Sequence, residues 1–145
     1  MSQRSSLVTW FKENREMAIE FLRIYMGFIL LIKGIMFALN PEHASQYMTM
    51  VTIPFFEFLS IHVVSVIHIA GGFLLTIGLI TRIAALIQVP NLFGAIFFVH
   101  LQQGLFGKGQ DLEYVILVLF ILLVFVVYGG GRFSVDYVLE KRSAP

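Results

Sequence analysis

A small set of polar side chains lies within or beside long apolar stretches of this 145-residue chain. The members that could bind a ligand are Lys33, Glu57, His62, His100 and Glu113. A lysine ammonium or a histidine ring can hydrogen-bond a carbonyl or hydroxyl oxygen, and histidine also exchanges protons near pH 7. These residue types therefore favour recognition of a polar, oxygen-bearing group, with the two carboxylates as counter-charges.

Lys33 carries the most information of the five residues. It follows the apolar run 28–32, and the residues after Gly34 are again apolar. A charge at bilayer depth costs roughly 3 kcal/mol on insertion scales, so such a lysine usually faces a protein interior or a water-filled cavity and has a partner. The simpler alternative is that Lys33 snorkels outward to Glu57.

The elements that must position these side chains follow from hydropathy. Hydrophobic residues make up 58% of the chain and charged residues 13%, whereas soluble domains are about a quarter charged. Four stretches have lengths compatible with membrane-spanning helices: residues 18–39, 55–79, 83–101 and 112–128. The predicted fold is an all-α membrane protein, an antiparallel bundle of four transmembrane helices.

Two flanking segments complete the predicted organisation. The arm 1–17 has apolar residues at three- and four-residue steps, which predicts an amphipathic helix at the membrane interface with Trp10 at headgroup level. The four spans occupy 18–128, and 129–145 forms the tail. The glycines at 129–131 end the fourth span, and Ser134 is expected to be the N-cap of a short helix through Lys141.

The distribution of positive charge predicts the orientation. Eight basic residues lie on one predicted side and only Lys108 on the other. The eight are Arg4, Lys12, Arg15, Arg23, Arg82, Arg132, Lys141 and Arg142. The positive-inside rule then places both termini in the cytoplasm of a bacterial inner membrane.

This orientation converts sequence position into depth, at about 1.5 Å per helical residue. Lys33 and His62 then lie about 9 and 10 Å below the outer surface, with Glu57, His100 and Glu113 nearer the rim. The pattern predicts a polar cavity that opens outward, whereas the inner half is expected to hold little beyond Gln88, Arg23 and Arg82. Glu57 and Glu113 are alternatively interfacial charges near helix N-termini.

Three further polar residues are interpreted as structural. His68 is expected to bridge helices through a backbone carbonyl, and Asn91 to help satisfy the backbone carbonyl that Pro90 leaves free in a kinked third helix. Arg82 lies in the tight turn between the second and third spans, where it can reach helix-end carbonyls or lipid phosphates. Glycines on the first two spans, Gly27 and Gly72 among them, predict a close helix–helix seam.

Several kinds of chemistry are disfavoured by the sequence. The chain has no cysteine, which excludes disulfides and iron–sulfur ligation by its own residues. No two histidines share the i, i+4 spacing of a metal site, so no metal is predicted. A haem between His62 and His100 is less favoured because their depths differ. A net charge of +1 without a basic cluster gives no indication of nucleic-acid binding.

Three groups of residues resemble the DoxX family. They are Arg23, Gly27 and Lys33 in the first span, the segment 71–85 with its Gly71-Gly72 pair and Thr81-Arg82, and the tail segment 131–136. The resemblance implies a small four-helix bacterial membrane protein; some relatives are membrane subunits of thiosulfate:quinone oxidoreductase, and others are linked to oxidant defence. Many family members have a glutamate just before the glycine pair, and this chain has His68 in that region.

The sequence and the resemblance together leave two main functions open. The first is a small membrane subunit for quinone-dependent redox metabolism, in which Lys33 and His62 hydrogen-bond a quinone head. The second is a non-catalytic accessory subunit of a larger membrane complex, whose polar residues bind partner helices or lipid. A small-anion transporter is less favoured. The expected partners are the lipid bilayer and other membrane subunits or further copies of the chain.

Overall fold

The computed structural model describes residues 15–41, 54–100 and 111–143, and all the regular secondary structure in these ranges is helical. The predicted interfacial helix of the arm falls almost wholly outside them. The helices are α1 (Arg15–Leu39), α2 (Pro54–Ile77), α3 (Thr81–Gly94), a π-helical continuation (Ala95–His100), α4 (Asp111–Tyr128) and α5 (Val135–Ser143). Helices α1 to α4 match the four predicted apolar stretches to within a few residues, because hydropathy alone delimits each of them.

A tight turn joins α2 to α3. Gly78 has φ 71° and Ile80 has φ 46°, so both residues adopt the left-handed conformation. The backbone N–H groups of Gly78 and Leu79 both donate to the carbonyl of Leu74, at 2.9 and 3.0 Å. A left-handed glycine is the usual way to end a helix, and the turn makes α2 and α3 antiparallel neighbours, as predicted.

The third helix passes through Pro90 and changes type soon after it. Pro90 lies inside α3, and the π-helix begins at Ala95. A proline removes one backbone donor and disturbs the preceding turn. Short π segments commonly mark such irregular places in helices, which agrees with the prediction that this helix is not regular.

Membrane character differs in degree among the helices. Within the described ranges, one segment, Glu16–Leu39, is long and apolar enough to cross a bilayer by itself. Three shorter apolar helices accompany it: Ile61–Ile77, Thr81–Phe97 and Leu112–Tyr128. The described part of the chain is thus all-helical and strongly apolar, as a membrane bundle requires.

Sequential helices pack against one another, α1 on α2, α2 on α3 and α3 on α4. The core between them contains Leu75 from α2, Ala85 from α3, and Leu122 and Phe125 from α4, all without solvent exposure. The apolar core thus runs along the bundle, and the buried side chains of Gln88 and His68 lie between α2 and α3.

The first two helices meet at the predicted glycine seam. A Cβ atom added at Gly72 would lie 2.5 Å from the backbone nitrogen of Leu31 and 2.7 Å from the carbonyl oxygen of Gly27. One added at Gly27 would lie 2.5 Å from the backbone nitrogen of Thr76. The two backbones therefore touch directly, which is the way small residues let helices associate in lipid.

Gly72→Ala is expected to lower the thermal stability of the detergent-purified protein, at a cost of about 1–3 kcal/mol, because the new methyl group would meet backbone atoms that cannot rotate away. Gly94→Ala is the matched control, since a Cβ there would meet nothing within 4 Å and alanine is the better helix former. Equal melting temperatures for the two variants would contradict the seam.

Candidate functional site

Lys33 lies against two aromatic rings from different helices. Its Nζ atom is 5.9 Å from the ring centroid of Phe37, one turn later on α1, and 5.8 Å from that of Tyr114, in the first turn of α4. Contacts of this kind contribute about 0.5–2 kcal/mol, depending on desolvation. Lys33 is thereby placed at the end of the bundle where α1 ends and α4 begins, which we call the loop end.

A buried histidine lies behind Phe37. The rings of His68 and Phe37 are 6.3 Å apart, and His68 is only 5% exposed. Its Nδ1 atom is 2.8 Å from Nδ2 of Asn91. This distance is that of a direct hydrogen bond between the two side chains. The bond links α2 to α3 through two side chains, whereas the expected partner of each residue was a backbone carbonyl.

The structure describes the side chains of only some of the other predicted ligand residues. Glu113 is half-buried, and its Oε2 atom is buried without a hydrogen-bond partner among the described residues. His62 is exposed on α2. The side chains of Glu57 and His100 lie outside those that the structure describes. A single site that joins these residues to Lys33 therefore stays a prediction.

Sequence reasoning missed two aromatic residues of this site. Phe37 follows Lys33 by four residues, so the spacing itself placed both on one face of α1. Tyr114 begins the fourth apolar stretch, and the depth estimate that placed Glu113 near the rim applies to it equally. The positions of both aromatic residues could thus have been inferred from the sequence, but only charged and polar residues were considered as ligands.

A second polar cluster occupies the opposite end of the bundle, which we call the tail end. Arg23 on α1 is 1% exposed. Its Nη1 atom donates to the carbonyls of Leu75 and, at 3.1 Å, Thr76, and its Nη2 atom donates to the carbonyl of Phe133 at 3.1 Å. One guanidinium thus satisfies the C-terminal carbonyls of α2 and holds the tail against α1.

Glu20 performs the complementary task one turn earlier on α1. It is 3% exposed, and its Oε1 atom accepts hydrogen bonds from the backbone N–H groups of Arg132 and, at 3.2 Å, Phe133. Glu20 and Arg23 therefore bind the donors and the acceptor of the same tail segment. The expectation that this end holds little polar structure was wrong, because the tail folds back and buries these charges.

The tail also caps the third helix. Asp136 accepts from the backbone N–H of Ile80 at 2.6 Å and of Thr81 at 2.9 Å, while its own N–H donates to the carbonyl of Gly78 at 3.0 Å. The hydroxyl of Ser134 accepts from the N–H of Tyr137 at 3.2 Å, which confirms the predicted N-cap of α5. An aspartate that follows α4 thus provides the side-chain cap of α3.

A cavity of about 1020 Å³ opens at the tail end. It lies among the start of α1, the start of α3, the end of α4 and helix α5. An ion pair of 2.7 Å between Arg132 and Glu16 lies on its wall, and Arg82 lines it as well. Arg82 is exposed, and the helix-end carbonyls that it was expected to reach are bound by Arg23; its structural role stays a prediction.

Comparison with known proteins gives one family. The family model DoxX matches residues 18–101, which is more than half of the chain and includes Arg23, Lys33 and the Gly71-Gly72 pair. Neither the curated proteins nor the solved structures give a significant match. The family match agrees with the apolar helices and identifies a small membrane protein. On this evidence, the chain belongs to the DoxX family.

Proposed function

We propose that the chain is a four-span inner-membrane subunit of quinone-linked redox metabolism and that Lys33 binds the quinone head. Both termini would be cytoplasmic, as the distribution of basic residues favours. The tail end would then lie at the cytoplasmic surface and the loop end would face outward. Family membership supports the membrane setting, and the geometry around Lys33 supports the ligand.

The observation that carries the proposal is the ammonium of Lys33 between two aromatic rings. Among the described side chains, no carboxylate pairs with it; its recorded contacts are Phe37 and Tyr114. An ammonium at this depth needs a polar partner. A quinone carbonyl can accept its proton in a charge-assisted hydrogen bond, and the two rings can pack against the flat quinone ring.

The remaining groups would then have distinct tasks. The phenol of Tyr114 can donate to a quinone or quinol oxygen, and the half-buried carboxyl of Glu113, next to it in sequence, can accept a proton. His68 is held by its bond to Asn91, and its ring packs against Phe37. Phe37 would form one wall of the site. A partner subunit would supply the electrons.

A second function is favoured by a different observation. The side chain of Lys33 is exposed on the surface of α1, beside the exposed apolar residues Ile32 and Met36. In a larger complex, a carboxylate on a partner helix could pair with it there. The chain would then be an accessory subunit that binds a partner, and the quinone would be absent.

Lys33→Met should abolish retention of quinone while the protein stays folded. The loss is expected to be about 10-fold or more, because a hydrogen bond to a charged group contributes about 1.5–3 kcal/mol. Tyr114→Phe and His62→Leu should also reduce retention. The measurement is extraction and mass-spectrometric quantification of quinone from detergent-purified protein, before and after reloading with a short-chain quinone.

Ile32→Met is the matched control, since it changes an exposed neighbour on α1 without removing a charge. Quinone retention in Lys33→Met equal to that of the control would overturn the quinone site. Stoichiometric partner chains that co-purify with the wild type and are lost only in Lys33→Met would instead support the accessory function.

A further inference from the structure

The charged residues that line the tail-end cavity indicate what kind of ligand it could bind. This inference does not depend on the quinone site. Most of its charged residues already have partners. Glu16 pairs with Arg132, Glu20 accepts from two backbone N–H groups, and Asp136 caps α3 with both oxygens. Glu20 and Asp136 hold the tail and α3 through these bonds, and the exposed charges of Glu16 and Arg132 balance each other.

Two opposite charges on the cavity wall remain. Arg82 at the start of α3 and Glu140 on α5 both line the cavity and are both exposed. In the part of the chain that the structure describes, neither side chain has a recorded hydrogen bond or ion pair. A ligand with one negative and one positive group would match this pair.

The apolar part of the wall indicates where such a ligand comes from. Ile19 on α1 and Ile83 on α3 line the cavity and are exposed, and Tyr128 and Tyr137 line it as well. Tyrosines are enriched at the membrane interface, with the ring toward the acyl chains and the hydroxyl toward the headgroups. The cavity therefore lies where a bound molecule can have its polar part at the tail end and its chains along the helices.

We propose that this cavity binds a phospholipid whose headgroup carries both a phosphate and a primary ammonium, as in phosphatidylethanolamine. Arg82 holds the phosphate through its planar set of N–H donors, and Glu140 accepts from the ammonium. The beginning of the acyl chains, next to the headgroup, lies on Ile19 and Ile83. A volume of about 1020 Å³ is ample for the headgroup and the beginning of the chains.

The test is native mass spectrometry of the full chain in detergent, incubated with phosphatidylethanolamine or with phosphatidylglycerol of the same chains. We expect the wild type to retain the former at least fivefold better. Arg82→Gln should lose both lipids, because both carry the phosphate. Glu140→Gln should lose only the preference, because it removes the ammonium acceptor alone. Lys141→Gln, an exposed change on the same helix, is the control.

Two outcomes would overturn the proposal: equal retention of both lipids by the wild type, or an unchanged preference in Glu140→Gln. Glu140 is exposed and outside the buried network, so its variant decides the matter even if Arg82→Gln does not fold. Soluble glycerophosphoethanolamine and inorganic phosphate, tested alone, separate a lipid site from a headgroup or phosphate site. Binding of either one to the same extent as the lipid would show that the acyl chains play no part.

Discussion

Arg23→Met is expected to destabilise the folded protein by about 3–5 kcal/mol, the usual cost of removing one partner from a buried charged network. The substitution would leave the carbonyls of Leu75, Thr76 and Phe133 without their donor. It would also leave the buried carboxylate of Glu20 without the positive charge that attracts it. The measurement is thermal unfolding of the detergent-purified protein, with membrane abundance as a second readout.

Two companion variants separate the contributions. Arg23→Lys keeps the charge but cannot reach three carbonyls with one planar group, so an intermediate loss is expected. Tyr25→Phe is the control, because Tyr25 is exposed on the same helix and should be close to neutral. Wild-type stability in Arg23→Met would show that the arginine does not hold the tail.

A double-mutant cycle tests whether Arg23 and Glu20 act together. Glu20→Gln keeps one oxygen that can accept from the tail backbone and removes the charge. If the two residues bind one tail segment, the double variant should lose clearly less stability than the sum of the single losses. Additive losses would indicate two independent contacts.

The helices of this fold could be predicted from the sequence because each signal is local. Apolar runs delimit α1 to α4, although Gly78, which was expected inside the second span, adopts the left-handed conformation just after α2 ends at Ile77. Ser134 precedes a helix that begins at Val135 and caps it. Gly27 and Gly72 indicated the seam because only small residues allow such an approach. None of these inferences needs the relative positions of distant segments.

The tail-end network could not be predicted in the same way. Glu20 and Arg23 are three residues apart, a common spacing on any helix, and nothing local shows that residues 132–136 return to them. The bonds join positions more than a hundred residues apart. A depth estimate treats each helix separately, so it placed Arg23 at an interface and missed Glu20 entirely. Lys33 itself could be singled out more readily, because a lysine inside an apolar run is unusual.

The tail segment, which lies beyond the residues that the family model matches, has a structural task of its own. The segment 131–136 supplies two N–H groups to Glu20, a carbonyl to Arg23 and the side chain that caps α3. Arg23, Gly78 and Asp136 come from three separate parts of the sequence and meet at one end of the bundle. Their shared task is to hold α5 and the turn before α3 against α1.

Asp136→Ala is expected to cost about 2 kcal/mol, at the upper end for loss of an N-cap. The change would remove both side-chain acceptors for the N–H groups of Ile80 and Thr81, for which the described residues show no other acceptor. Ile80 would also lose a bond that supports its left-handed conformation, which is costly for a β-branched residue. The start of α3 and α5 should therefore loosen together.

Asp136→Asn is a finer test, because the amide keeps one acceptor oxygen. This variant should lose about half as much stability as Asp136→Ala. Ser143→Ala near the end of α5 is the control, since its hydroxyl bonds only to its own helix. Thermal unfolding gives the order of the variants. Hydrogen exchange should show faster exchange at residues 80–83 and in α5 for Asp136→Ala, with the middle of α1 unchanged. Faster exchange confined to α5 would mean that the aspartate stabilises only its own helix and that the start of α3 does not depend on the tail.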